Sequence, residues 1–226
     1  MKRTHTARDS GGLGTSAAGG TLAVLRDTTN NVINRVVDEQ TRIVFDLETT
    51  GLSREKAEIC EIACWVVGDL PNEYNSKEIC SLIMPTKPST KSAVAVNGIR
   101  RTGTNQMLVR EKYRYNKPPA REVFSDLIQW LKKYRNPVMI AHNGFRFDAQ
   151  FLIVKMQQEG LFEDFAGTVA YFGDTMTELK PALPGQKHNM DVLGTQFIPG
   201  WTEYKKNAHS ALFDVWTTMK ATVFFI

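Results

Sequence analysis

The order of elements predicts an α/β protein in which a mixed sheet carries helices on its faces. Three short apolar runs, residues 42–47, 60–67 and 79–84, come first and are separated by polar stretches containing Gly68, Pro71 and Asn72. From Pro118 to the end, segments with helical spacing alternate with short buried runs. Leading strands that pair as a meander, followed by alternating helices and strands, combine antiparallel with parallel neighbours and so call for a mixed sheet.

Composition bounds the rest. A chain of 226 residues with 42% apolar content holds one sizeable domain and a tail. No apolar run approaches the roughly 20 residues of a membrane span, and no apolar signal-peptide core follows the basic first residues. An intracellular protein, nuclear or cytoplasmic and not secreted, is the expectation. Cys60, Cys64 and Cys80 are odd in number and wrongly spaced for zinc, so they are expected as reduced core thiols. A net charge of +4 permits a polyanionic partner without requiring one.

Residues 1–21 hold five glycines among Ser, Thr and Ala and are expected to form a flexible tail. Residues 22–40 have partial helical spacing at Leu25, Val32, Ile33, Val36 and Val37, which suits a linker as well as a short helix. The domain is expected from residue 41 to 226. Its first strand ends at Thr49-Thr50-Gly51, where glycine lets backbone approach a ligand. Residues 93–99 read as the end of a short helix turning at Asn97-Gly98. Tyr113, Arg114, Tyr115 and Lys117 mix rings with cations that could stack on and neutralise nucleic acid, but taken alone the stretch reads better as a solvated loop with partly buried rings.

Pro118-Pro119 starts a helix with an apolar stripe of Val123, Phe124, Leu127, Ile128, Leu131 and Tyr134, stopped at Asn136-Pro137. A buried strand at 138–141 leads through His142-Asn143-Gly144 into a helix over 147–158. Residues 168–172 read as a strand, 178–187 as loop, 191–197 as a short helix and 210–225 as the last helix. His5 and His188 are expected at the surface.

Four acids stand out against this frame. Asp46 and Glu48 are two positions apart on a buried strand and therefore point to one face. Two anions there repel each other and lose hydration, which a pair of divalent cations would compensate. An isolated D-x-E is more often a strand end emerging into solvent. Asp148 opens a helix after a buried strand, where a lone acid complements the helix dipole. Asp214 lies on the last helix.

Three segments in order, Phe45-Asp-Leu-Glu-Thr-Thr-Gly51, His142-Asn-Gly-Phe-Arg-Phe-Asp-Ala-Gln-Phe-Leu152 and His209-Ser-Ala-Leu-Phe-Asp214, resemble the motifs of the DEDDh (DnaQ-like) 3′–5′ exonucleases. The resemblance spans about residues 41–219 and rests on all three together. It implies a ribonuclease-H-like fold, a mixed five-stranded sheet flanked by helices. It further implies Asp46, Glu48, Asp148 and Asp214 as ligands of two magnesium or manganese ions, with Glu48 bridging water or both ions. His209 would be the general base. Five helical residues turn through about 500°, so His209 and Asp214 would lie about 140° apart on one regular helix. His209 is therefore expected on the entry loop.

By the same resemblance, Leu47 and Thr49 would bracket the terminal base. Asn97, Gly98 and Ile99 would contact the terminal nucleotide, with Asn in place of the family's usual His. His142 and Asn143 would line the site or close the strand, and Asp174 resembles an acid placed near the site. The implied partner is nucleic acid with a free 3′ end, DNA favoured slightly over RNA. The alternatives are an exoribonuclease and, in another class, a non-catalytic nucleic-acid-binding or interaction module derived from the same fold.

Overall fold

Period-two alternation over Arg42–Thr49 (β1) makes the central strand, because every second side chain is apolar on a face that must be covered. The computed structural model describes residues 40–68 and 78–222. The predicted tail, the segment 22–39 and His5 lie outside the described residues. After β1 come Ile59–Val66 (β2) and Glu78–Leu82 (β3), each antiparallel to its predecessor. Val138–Ala141 (β7) and Tyr171–Asp174 (β8) add in parallel on the other side, giving the order β3-β2-β1-β7-β8. The expected mixed five-stranded sheet is present.

Its two faces are covered differently. Ile43, Phe45 and Leu47 join Val123, Phe124 and Leu127 of Ala120–Leu131 (α2) and Phe151, Leu152 and Met156 of Asp148–Gln158 (α3) in the main core. Val44, Ala63, Val138 and Ile140 point the other way, onto Ala211, Val215 and Met219 of Ala211–Thr222 (α8). These two apolar layers hold β1 and α8 at fixed distance, which is what positions the site.

Several elements depart from the sequence reading. Residues 99–115, between Lys91–Asn97 (α1) and α2, form a second sheet, Ile99–Gly103 (β4), Gln106–Val109 (β5) and Lys112–Tyr115 (β6), all antiparallel. The solvated-loop reading of Tyr113–Tyr115 is therefore corrected to an exposed edge strand. The alternation is weak there because only Ile99, Met107 and Val109 are buried, against Cys60. Residues 178–187 are not all loop: Thr175–Ala182 (α5) is helical, capped by Asp174 and anchored by buried Leu179. Pro181 is confined to its last turn, where one lost hydrogen bond is tolerated.

The strand expected at 168–172 begins only at Tyr171. Thr168 and Val169 instead donate to Phe165 O at the end of Phe162–Ala166 (α4), an unforeseen short helix. Met190–Phe197 (α6), Trp201–Tyr204 (α7) and a 3₁₀ turn, Lys205–Asn207, lead to α8. Cys60 and Cys64 are buried free thiols, but Cys80 is exposed on edge strand β3. His188, expected at the surface, is buried, its Nε2 donating to Leu183 O at 2.8 Å. No helix among the described residues is long and apolar enough to cross a membrane.

Candidate active site

Asp46 and Glu48 extend the row of Val44 along β1. Val44 clusters with Ala211 and Val215, so the two acids run on toward the first turn of α8. Asp214 waits there, three residues after Ala211 and one before Val215, hence on the sheet side of the helix. One carboxylate oxygen from each of Asp46, Glu48 and Asp214 lies within 4.8 Å of the other two. Glu48 is buried and the other two are half-buried.

Asp148 is buried at the start of α3, outside this tight group of three. A tight turn delivers it. Gly144 folds back so closely that a Cβ there would stand 2.7 Å from that of Ala141, and Asn143 has φ 60°. Asp174 ties the turn down, Oδ2 accepting from Phe145 N–H at 3.1 Å and Oδ1 from Met176 N–H at 2.9 Å. Asp148 still acts electrically on the group: of the neighbouring charges that raise Asp46, it ranks first.

The four acids hold their protons too tightly for ordinary carboxylates. Burial, then the charges of Asp148, Asp214 and Glu48, pushes Asp46 well above the usual range. Burial and Asp214 push Glu48 up to about 8, opposed in part by a hydrogen bond from Asn97. Burial likewise brings Asp148 and Asp214 to about 7. Among the described residues, Arg110 is the cation whose field lowers both Glu48 and Asp214, and its guanidinium is bonded to another acid, Glu61. Clustered oxygen donors with this excess of negative charge suit hard divalent cations, which would displace the protons.

His209 stands on the loop before α8 with φ 63° and an exposed side chain. Its N–H donates to Asp214 Oδ2 at 3.1 Å, so its backbone is tied to a site carboxylate. Its carbonyl accepts from Arg110 Nη2 at 2.9 Å. The partner of Arg110, Glu61, faces Glu48 across the β1–β2 pair, is buried, and also accepts from Ala211 N–H at 3.0 Å. Sequence reasoning missed both residues. A lone acid inside the apolar run of β2 was a usable signal for Glu61; nothing local marked Arg110.

Other expected contacts fall differently. Leu47, expected to bracket the terminal base, has its side chain in the main core, on the opposite face from Asp46 and Glu48. Thr49 is buried, its hydroxyl donating to Gly51 O at 2.8 Å. Leu52, just beyond that glycine, is 80% exposed and is the apolar side chain that the turn presents to solvent. Asn97 is buried and anchors α1 to the end of β1, Nδ2 donating to Thr49 O at 3.1 Å and Oδ1 accepting from Ile99 N–H at 2.9 Å. Gly98, with φ 67°, closes α1 in the left-handed region, and Ile99 is buried. His142 Nδ1 meets Thr175 Oγ1 at 2.8 Å, and burial lowers its pKa despite a hydrogen bond to the His188 backbone. It latches β7 to α5.

The model of a family described as Exonuclease (RNase T) matches residues 43–222, from β1 to α8. The chain belongs to this family. It is a DEDDh exonuclease domain of the ribonuclease-H-like superfamily. It is 29% identical over 191 residues to the PolC-type DNA polymerase III of Bacillus subtilis, a match covering 83% of this chain and 12% of that protein. It is 33% identical over 118 residues to the chloroplastic/mitochondrial exonuclease DPD1 of Arabidopsis thaliana, covering 50% of this chain and 33% of that one. The exonuclease domain thus spans only a small part of these relatives. Among solved structures, E. coli exonuclease I in complex with a dA16 oligonucleotide has the same fold, with TM-score 0.60 and 16% identity over 82% of this chain and 41% of that one. A zinc-bound complex of E. coli exonuclease I with single-stranded DNA matches at TM-score 0.59 and 18% identity, over 83% of this chain and 40% of that one.

Proposed function

We propose that this domain is a two-metal-ion 3′–5′ exonuclease that removes nucleoside 5′-monophosphates from the 3′ ends of single-stranded DNA. The observation that carries the reading is the group of Asp46, Glu48 and Asp214, oxygens within 4.8 Å, at the foot of the loop bearing His209. Family membership and the similarity to PolC-type polymerase support it. Exonuclease I complexes with single-stranded oligonucleotides support the choice of strand.

Asp46, Glu48, Asp148 and Asp214 would hold magnesium or manganese through carboxylate oxygens. Bound there, such ions lower the pKa of water and offset charge on the scissile phosphate. His209, on its exposed loop, takes the proton of the attacking water, an imidazole nitrogen being able to accept one. Arg110 and Asp214 grip the backbone of His209 from two sides and limit where its ring can travel. The Asn97-Gly98-Ile99 corner, pinned to Thr49, places backbone beside the acids against which the terminal nucleotide can rest.

Digestion of end-labelled DNA and RNA, single and double stranded, with and without Mg²⁺ tests this reading. Stepwise shortening from the 3′ end of single-stranded DNA, dependent on the metal, is the expected result. Preferential shortening of RNA would assign the exoribonuclease activity instead, and no shortening with either Mg²⁺ or Mn²⁺ would leave a binding module.

A further inference from the structure

We propose that the outer face of the β4–β5–β6 sheet is a stacking platform for single-stranded nucleic acid, engaging bases upstream of the 3′ end. The proposal rests on the nuclease reading only for the identity of that end.

Residues paired directly across antiparallel strands share a face. Arg100 pairs with Leu108 and Leu108 with Tyr113, while Gln106 pairs with Tyr115. These five residues therefore form one face, and Ile99, Met107 and Val109 form the other, buried against Cys60. On the outer face Tyr113 and Tyr115 are 54% and 58% exposed, with ring centroids 6.5 Å apart and planes 30° from parallel. Gln106 Nε2 donates to the Tyr115 hydroxyl at 3.0 Å, which restrains one of the rings. Two large aromatic faces held open to water on one strand have no role in the core.

Charge selects the occupant. Residues 99–117 contain six arginines and lysines against a single acid, Glu111, a net +5 in a chain whose total is +4. Of these cations, Arg101 is spent on the carbonyls of Thr86, Gly103 and Thr104, and Arg110 on Glu61. Arg100, on the ring face, is exposed and makes no ion pair among the described residues, whereas Lys112 and Arg114, paired with Val109 and Met107, belong to the other face of the strand. Rings beside an unpaired arginine, in a segment with this excess of positive charge, bind single strands without regard to sequence, the rings through base stacking and the cation through phosphate. An acidic peptide would use the cations but leave both rings idle.

The platform also leads to the site. Arg100 and Leu108 line a groove of about 1040 Å³ whose other wall includes Trp216 and which reaches Asn97, Gly98 and Arg110. A strand lying on the rings can thus continue to the corner beside Glu48. Sequence alone could not tell this arrangement from a solvated loop, because the spacing Tyr-Arg-Tyr becomes a shared face only once β6 is paired.

The test is anisotropy of 5′-fluorescein-labelled dT2 and dT12 in excess chelator, which suppresses metal-dependent turnover. The full chain should gain affinity from dT2 to dT12, and the Tyr113→Ala/Tyr115→Ala variant should lose roughly tenfold or more of that gain. Arg100→Gln should reduce the slope of log affinity against log salt for dT12 by about 0.7. Equal dT12 binding by the tyrosine variant overturns the platform. So does loss of self-association in that variant with dT12 binding intact, which would give the face to a second copy of the chain. Failure to shorten DNA with Mg²⁺ would count against the nuclease reading alone, since the binding assay does not depend on turnover.

Discussion

Glu48 and Glu61 face one another across the β1–β2 pair, yet among the described residues only Glu61 of the two forms an ion pair, its Oε2 2.5 Å from Arg110 Nη2. Two neighbouring buried acids thus differ: Glu61 is paired with an arginine, and Glu48 joins Asp46 and Asp214 in the acidic group. Because Arg110 also holds the His209 carbonyl, the pair fastens the second sheet to the loop before α8.

Removing Arg110 leaves Glu61 buried without its cation. Arg110→Ala is expected to destabilise the fold by roughly 1–3 kcal/mol, the guanidinium being partly exposed. Urea denaturation of Arg110→Ala, Glu61→Gln and the double variant checks it. The double variant should be more stable than the sum of the single losses, and strict additivity would deny the coupling.

Asp46→Asn should lower turnover roughly 100-fold or more. It should leave the melting temperature in chelator equal to or above that of the wild type, because it relieves one of several mutually repelling acids. The rise in melting temperature on adding Mg²⁺ should shrink. Wild-type turnover by this variant would remove Asp46 from the ligand set.

The pH dependence of stability has a definite sign. Asp148 and Asp214, ordinarily 3.8, lie at about 7, and Glu48, ordinarily 4.5, at about 8 in the folded chain. Acids whose pKa is raised by folding bind protons more tightly in the native state, so their contribution is complete below about pH 4 and is lost as pH rises through about 7–8. In chelator the melting temperature should fall from about pH 5 to about pH 8. Saturating Mg²⁺ should oppose the fall, and melting curves with and without metal across that range report it.

His209→Ala should lose roughly 10²–10⁴-fold in turnover while keeping the Mg²⁺-dependent melting shift, since the side chain does not belong to the acidic group. Only its backbone N–H bonds Asp214, and alanine retains that donor. Single-turnover digestion at several pH values would distinguish loss of the base from loss of metal.

The main sheet was legible because its three inner strands are covered on both faces. Residues 42–47, 60–67 and 138–141 are apolar runs whose length and turn signals announce strands. The helix of Val123, Phe124, Leu127 and Ile128 was visible for the same reason, its stripe being buried throughout. The small sheet was not legible. Three buried side chains suffice to seat it, and β6, exposed along its whole length, shows no alternation of burial. In α5 the composition, with Pro181, opposed the helix, and only the Asp174 cap and the burial of Leu179 decided it.

By itself the sequence singled out the acids at 46, 48, 148 and 214 and the histidine at 209, because the three motifs whose resemblance to the family points to them are local properties of the chain. It also determined that His209 must leave the regular helix, since 3.6 residues per turn forbids His209 and Asp214 a common face. Only the tertiary structure decided which acids meet. Asp46, Glu48 and Asp214 converge because Val44, Ala211 and Val215 pack together beneath them, whereas Asp148 approaches through a turn set by Gly144 and Asp174. Only the structure, too, decided that Leu47 belongs to the core, and that Glu61 and Arg110, 49 residues apart, share a bond. Contacts of that kind depend on how layers stack, a non-local property that no spacing along the chain encodes.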